Sequence, residues 1–416
     1  MTVHQFLLAL IAIFVGAKLF GTIAERLGQP AVLGELIAGI LVGKSVLGLV
    51  DPAAEGIRLL AELGVILLLF EIGLETNLRR LLRAGPSAVL VAIVGITVPF
   101  ALGYLVAGAF GYSAPVAIFL GASLTATSVG ITARVLSDLG RLADAESQII
   151  LGAAVLDDIL GLVILAIVGG VAAGRGPTPL GVFRIAASAL GFVAAAIVIG
   201  SWMAPWFLRL LNRVRTEKLL LFFALVFAFL LADLAEVAGS ALIVGAFAAG
   251  LVLAQTKEAG AIVKDVRGVA HFFVPIFFVS VGAAVDVGAF DLRAIEGRRT
   301  LLAGFALLAV GVFGKLVSGL VIWKPGVRRL VVGVGMVPRG EVGLIFARIG
   351  LAAGLLTPGL YGSVAFMVLG TSLVAPPWLR FLLGPPATGA GEPGAVADLA
   401  TSPPFGEDDG VESREE

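Results

Sequence analysis

The sequence predicts an all-α polytopic membrane protein, and three observations carry that prediction. Hydrophobic residues make up 59% of the 416, charged residues only 14%, and the mean hydropathy is +1.07. A soluble chain needs about a quarter of its residues charged to cover its surface. Glycine occurs 55 times against three tyrosines, a bias that suits membrane helices, where small residues let backbones approach. Apolar runs of about 20 residues, long enough to cross the hydrocarbon core as a helix, recur along the chain.

Breaks at charge clusters and Pro/Gly turns divide the chain into thirteen segments. The first, 4–24, stops at Glu25 and Arg26; no small-residue cleavage site with a polar mature domain follows, so it reads as a retained helix, not a signal peptide. Asp51, Pro52 and Glu55 set 31–50 apart from 58–76, and 86–110 opens beyond the basic run Arg79, Arg80 and Arg83. Gly111 precedes 114–137, and a turn with Arg141 and Asp144 precedes 146–172. Arg175, Gly176 and Pro177 precede 181–211, and Arg213, Arg215 and Lys218 mark the turn into 217–237. Gly239 opens 239–256, Lys264 and Arg267 precede 268–287, and Arg298 and Arg299 precede 300–323. Lys324 and Pro325 begin the turn to 328–352, and Pro358 the turn to 360–383. Residues 385–416 carry eight acids against one base, Arg414, and too little apolar surface to order themselves; a disordered cytoplasmic tail is expected there, without room for a nucleotide- or potassium-sensing domain.

Loop Lys and Arg set the orientation. Seventeen, among them Arg26, Arg79, Arg80, Arg83, Arg141, Lys257, Lys324, Arg328 and Arg380, fall on one set of segment ends; seven, Lys44, Arg58, Arg175, Arg184, Arg293, Arg298 and Arg299, fall on the other. The amino terminus is therefore expected outside and the carboxyl terminus in the cytoplasm, in a cell inner membrane of bacterial type. The 29 bases and 29 acids balance, so nothing suggests a nucleic-acid partner. The absence of cysteine excludes disulfides, thiol catalysis and Cys-based metal sites, and two histidines, His4 and His271, exclude a His-rich zinc site. No GxxxxGK[ST] phosphate loop is present, so no ATP site and no cofactor are expected.

The informative charges are those inside apolar segments, where an ionised group costs about 2.5 kcal/mol or more and usually marks an ion pathway. Asp157, Asp158, Lys315, Arg339 and Glu341 sit there. At about 1.5 Å rise per residue, Asp158 lies about 18 Å beyond Glu146 and Lys315 about 13 Å from Lys324. Thr125, Thr127 and Ser128 fall at a similar depth, as does the stretch from Pro338 to Glu341.

Two of these stretches read as interrupted helices. In LTATSVGIT (124–132), Thr, Ser and Gly replace bulky apolar residues; in GMVPRGEVG (335–343), Pro338 removes a backbone donor and Gly340 permits unusual dihedrals. The two segments run in opposite directions, and paired interruptions in inverted halves point to a secondary transporter's binding site. Crossed half-helices place partial charges at the midplane, which Arg339 and Glu341 can neutralise; direct ion contact is the other reading of these two residues. Neighbours on a helix diverge by about 100°, so one of Asp157 and Asp158 can meet a partner while the other faces a cavity. An ion pair with Lys315 lowers the burial cost of one carboxylate; the other, with Thr and Ser oxygens and water, suits a hard cation. Side-by-side aspartates do not suit an aspartyl protease, which needs them on facing helices, and no enzyme is expected.

Other polar positions read more plainly. Glu71 and Glu75 are expected as solvated acids near an inner helix end, Asp233 and Glu236 in an outer loop, and His271 as an interfacial residue opening its segment. Gly39 and Gly43 form a GxxxG that bears weakly on a dimer contact.

TATSVGITARVLSDLG, LGAAVLDDILGLVILA, GKLVSG and VGVGMVPRGEVGLI, together with GQPAVLGELIAGILVG near the start, resemble the monovalent cation:proton antiporters, with the NapA-like sodium/proton exchangers the nearest group. The resemblance covers the whole membrane region and stops at Gly384. It implies a homodimer in the sodium/proton antiporter fold, about thirteen membrane helices in inverted repeats with two crossed interrupted helices. Residues 1–76 and 217–290 would form a dimerisation domain, and 77–172 and 291–384 a core transport domain. Residues 173–216 would link them, with 385–416 as the tail. Asp158 matches the ion- and proton-carrying aspartate, Asp157 the aspartate that pairs with a lysine, and Lys315 that lysine; Thr127 and Ser128 accompany the ion, with Asp158 and Thr127 as sodium ligands. Electroneutral relatives lack the lysine or carry Asn for the first aspartate, so Asp157 and Lys315 imply electrogenic sodium(lithium)/proton exchange by an elevator movement. Carboxylate and hydroxyl ligands do not separate sodium from potassium, and a potassium/proton antiporter of the same fold is the alternative.

Overall fold

The structure, a computed structural model, describes residues 2–172, 179–211, 219–285, 287–290 and 295–384. Among these residues it is all-helical. The first half holds α1 Val3–Arg26, α2 Ala31–Val42, α3 Glu55–Glu75, α4 Leu78–Ala109, α5 Ala114–Ser123, α6 Val129–Asp138, α7 Ala145–Ala172 and α8 Pro179–Leu211. The second holds α9 Leu219–Val237, α10 Leu242–Leu253, α11 Ala259–Ala283, α12 Ile295–Leu320, α13 Arg329–Gly335, α14 Glu341–Ala352 and α15 Pro358–Leu383. Each expected segment meets a helix, and segments 114–137 and 328–352 each meet two short helices in line, α5 with α6 and α13 with α14. Among the described residues, six helices are long and apolar enough to cross a membrane by length and composition. The acidic tail and the loop bases Arg175, Arg213, Arg215, Lys218 and Arg293 lie outside the described residues.

Several boundaries move for local reasons. α4 starts well before the expected 86, because the Asn77 side chain caps it by accepting from the Arg80 N–H, and Arg and Leu propagate a helix readily. α11 likewise runs through Lys264 and Arg267, which places His271 half-way along a helix and not at its start. α2 ends at Val42, since Gly43 turns extended and the following chain folds back in a bridge from Gly43 to Val50. Asp233 and Glu236 are exposed in the last turns of α9, not in a loop.

The helices pack in two groups. α3 lies along α10 and α11, α2 lies against α1 and α11, and α9 against α10. α4 packs on α5, α7 and α12, while α15 packs on α12 and α14. α8 touches α7, α9 and α10, and α6 reaches across to α3. Lipid offers no hydrophobic drive for helix pairing, so contact depends on close van der Waals approach. Gly39 and Gly43 supply it within the chain: a Cβ at Gly39 would strike the Val279 carbonyl, and one at Gly43 would come within 2.9 Å of the Ala283 Cα. This GxxxG is thus a seam between α2 and α11. The outer faces remain apolar, with Leu7, Ile11, Val15 and Leu19 on α1 and Phe222, Val226 and Leu230 on α9 exposed at helical spacing.

Gly39→Leu is expected to lower stability by about 1–3 kcal/mol or more through overpacking. Gly260→Ala, where an added methyl meets nothing within 4 Å, is expected to be neutral or slightly stabilising. Thermal unfolding of the two purified variants in detergent checks the contrast.

Candidate functional site

The break between α5 and α6, residues 124–128, and the break between α13 and α14, residues 336–340, touch each other. The Ser128 N–H donates to the Pro338 carbonyl at 2.8 Å, and the Thr132 hydroxyl to the Gly335 carbonyl at 2.7 Å. Backbone freed by each interruption is thereby satisfied by the other, as a low-dielectric interior requires. Arg339, wholly buried, donates to the Thr125 carbonyl at 3.1 Å, the Ala126 carbonyl at 2.9 Å and the Gly311 carbonyl at 3.3 Å. Its cation therefore sits against the carbonyl end of α5, where the partial charge of a helix is negative. Glu341 opens α14; its side chain lies outside the described residues.

α7 brings the two aspartates to this junction facing apart. Asp157 is wholly buried; its Oδ2 accepts from Lys315 Nζ at 2.7 Å and from the Thr127 hydroxyl at 2.6 Å. Lys315, on α12, is also wholly buried. Room for it comes from glycine: a Cβ at Gly95 on α4 would lie 3.2 Å from Nζ, and one at Gly314 would press on Pro99. Asp158 points the other way and lines a cavity of about 10 Å³ with Thr127, Ser128, Gly130, Phe277 and Gly340. A volume of that order is about what one water-sized body needs. Oxygen is the ligand chemistry on offer: the Asp158 carboxylate with hydroxyls and backbone carbonyls, the donor set of a hard cation. Thr127 belongs to both halves, since its hydroxyl hydrogen goes to Asp157 while the residue lines the Asp158 cavity.

Two supports went unforeseen. Thr371 and Ser372 on α15 hold Arg339 from behind, the first accepting from its backbone N–H at 3.2 Å and the second donating to its carbonyl at 2.8 Å. Their signal was a Thr-Ser pair in mid-segment, the same kind of signal that marked Thr127 and Ser128. Glu71 and Glu75 are not solvated acids: both pair with Arg267 of α11, Glu71 at 3.1 Å, and Glu75 also accepts from Ser137 of α6 at 3.4 Å. Sequence spacing could not bring out Arg267, which lies on a distant helix.

Fold and site together define a polytopic helical membrane protein with a charged centre built where two broken helices meet. The chain belongs to the family described as the transmembrane sodium/hydrogen exchangers, whose profile matches residues 9–384. It is 42% identical over 409 residues to the high-affinity Na(+)/H(+) antiporter NhaS3 of Synechocystis, covering 90% of this chain and 89% of that protein. It is 36% identical over 383 residues to the Na(+)/H(+)-K(+) antiporter GerN of Bacillus cereus, covering 91% and 97%. The fold resembles the solved sodium proton antiporter MjNhaP1 from Methanocaldococcus jannaschii, with a TM-score of 0.65 at 18% identity over 93% of this chain and all of that one.

Removing one partner of a buried ion pair strands the other charge, so Lys315→Met is expected to destabilise by about 3–5 kcal/mol. Adding Asp157→Leu to it is expected to recover most of that loss, because an apolar pair needs no counter-charge. Melting temperatures of the singles and the double form the cycle that checks it.

Proposed function

We propose that this protein is an electrogenic sodium(lithium)/proton antiporter in which inward proton flow drives sodium out. The carrying observation is the division of the adjacent aspartates, Asp157 held by Lys315 and Thr127 while Asp158 faces a cavity of single-ion size. Asp158 is the exchange group, with Thr127 and Ser128 beside it. A cation and a proton cannot both occupy its carboxylate, and that competition couples the two flows. Lys315 and Asp157 carry the second charge, and Arg339 and Glu341 compensate the half-helix ends, which would cross at the midplane.

In this reading thirteen membrane crossings leave the amino terminus outside and the base-rich ends in the cytoplasm, and two copies pair through the dimerisation helices. α4–α7 and α12–α15 slide as one body against α1–α3 and α9–α11, with α8 as the link. The packing of the helices into these two groups supports that division. Potassium as the cargo is the second reading, favoured by the Na(+)/H(+)-K(+) name of the GerN relative and by an oxygen donor set that fits either ion.

Fluorescence-quenching recovery in everted vesicles, compared for sodium, lithium and potassium, tests the cargo. A response to sodium and lithium is expected, and one to potassium alone overturns the first reading. Asp158→Asn is expected to abolish exchange at every pH, and wild-type exchange by that variant would displace the site. In the wild type, exchange should rise with pH as protons compete less for the carboxylate, then fall when protons become scarce.

A further inference from the structure

The end of the molecule at which α15 finishes carries a positive face that the transport site does not use. Arg79, Arg80 and Arg83 are exposed on the first two turns of α4, and Lys324, Arg328 and Arg329 are exposed where α12 gives way to α13. Hydrogen bonds draw the two groups together over the turn between α6 and α7 and the first turn of α7. Arg80 donates to the Ala143 carbonyl at 3.0 Å, and Arg328 Nε to Glu146 Oε1 at 2.9 Å. Arg141, in the same turn, donates to the Leu383 carbonyl at 3.2 Å, and Arg328 to the Leu382 carbonyl at 3.3 Å. The last carbonyls of α15, the negative end of that helix, are thus held within the face.

Base outnumbers acid here. Arg328 pairs with both Asp144 and Glu146, at 4.0 and 2.9 Å, and Arg141 shares Asp144 at 3.7 Å. Arg79, Arg80, Arg83, Lys324 and Arg329 have no ion-pair partner among the described residues. A face of unpaired bases attracts an extended anion. The chain carries one. Beyond Gly384, which follows the two carbonyls held by Arg141 and Arg328, residues 385–416 bring eight acids and one base, with six of the acids between Glu407 and Glu416. Glu407 is 23 positions past Gly384, and at about 3.5 Å per residue that tether reaches any point of the face. Attachment holds the acids at an effective concentration of about a millimolar, so ion pairs that are weak singly act together. Because its root lies within the face, this segment has the advantage over any untethered anion, a lipid headgroup included.

We infer that this face is the docking site of the acidic segment 385–416 of the same chain, which there cancels the positive potential that a cation bound for Asp158 would meet. The inference rests on the transport reading above and adds to it how the cargo is gathered at the base-rich side. Bases that orient a membrane domain also repel the monovalent cation it carries. Docked carboxylates remove that repulsion. Their effect is open to screening, since the Debye length falls from about 30 Å at 0.01 M salt to about 3 Å at 1 M.

Two readouts test docking and its consequence separately. Because the chain has no cysteine, S413C places a single nitroxide in the acidic segment of the full-length protein. In vesicles containing phosphatidylglycerol at low salt its spectrum should be immobilised. It should become mobile in about 1 M choline chloride, or when R79Q, R83Q and K324Q are combined. A spectrum that salt and the substitutions leave unchanged overturns the docking. So does one immobilised only in pure phosphatidylcholine, because anionic headgroups then hold the face. E407Q, D408N, D409N, E412Q, E415Q and E416Q together keep the length of the segment and remove its charge. That variant should raise the apparent KM for sodium at the base-rich face, read in everted vesicles, by roughly threefold at low salt and by less than about 1.5-fold in about 1 M choline chloride, with kcat unchanged. An unchanged or lowered KM at low salt overturns the counter-charge role. Wild-type vesicles that exchange no cation for protons while the nitroxide behaves as expected would refute the transport reading and leave the docking standing.

Discussion

Inside a membrane protein every backbone N–H and C=O that leaves a helix must find a partner, because neither lipid nor packed side chains provide one. Here two interrupted helices meet that requirement jointly. Ser128 donates to Pro338, Thr132 to Gly335, and Arg339 to the two carbonyls at the end of α5. Each break gives the other hydrogen-bond partners, and these bonds fix how the two meet. Once they are locked, Thr127 faces α7, and the aspartates of α7 have a polar environment to enter.

The second consequence concerns charge. Asp157 and Lys315 are both wholly buried, and such a pair is tolerated only with short contacts and further hydrogen bonds. The Thr127 hydroxyl supplies one, and glycines at 95 and 314 let α4 and α12 close around the lysine. A centre of this kind is costly to keep unless it works, whereas an apolar pair would pack at least as well. Holding one carboxylate firmly leaves its neighbour, turned about 100° away on the same helix, to face the cavity.

Much of the fold was legible because burial in lipid writes strong one-dimensional signals. Apolar runs located the helices, and Thr, Ser, Pro and Gly at mid-depth located both breaks. The adjacent Asp157 and Asp158 predicted their own divergence from helical pitch alone. Signals that depend on a partner were read less well. Glu71 and Glu75 looked solvated because Arg267, which neutralises them, stands on another helix. The Gly39 and Gly43 motif says that something comes close, not whether it is α11 of the same chain or a second copy. Lys264 and Arg267 read as a turn in the sequence because they break an apolar run, although the helix runs through them.

The sequence by itself determined the membrane class, the succession of helices, the two interruptions and the charges that lie inside apolar segments, since each is a property of local composition at a given depth. Tertiary structure alone decided which charges meet, because pairing is a relation between segments far apart in the chain. It joined Lys315 to Asp157 across 158 positions, set Arg339 against α5, and gathered six titratable groups from four helices around one cleft. Helix spacing assigns a face to a residue, and only packing decides what that face meets.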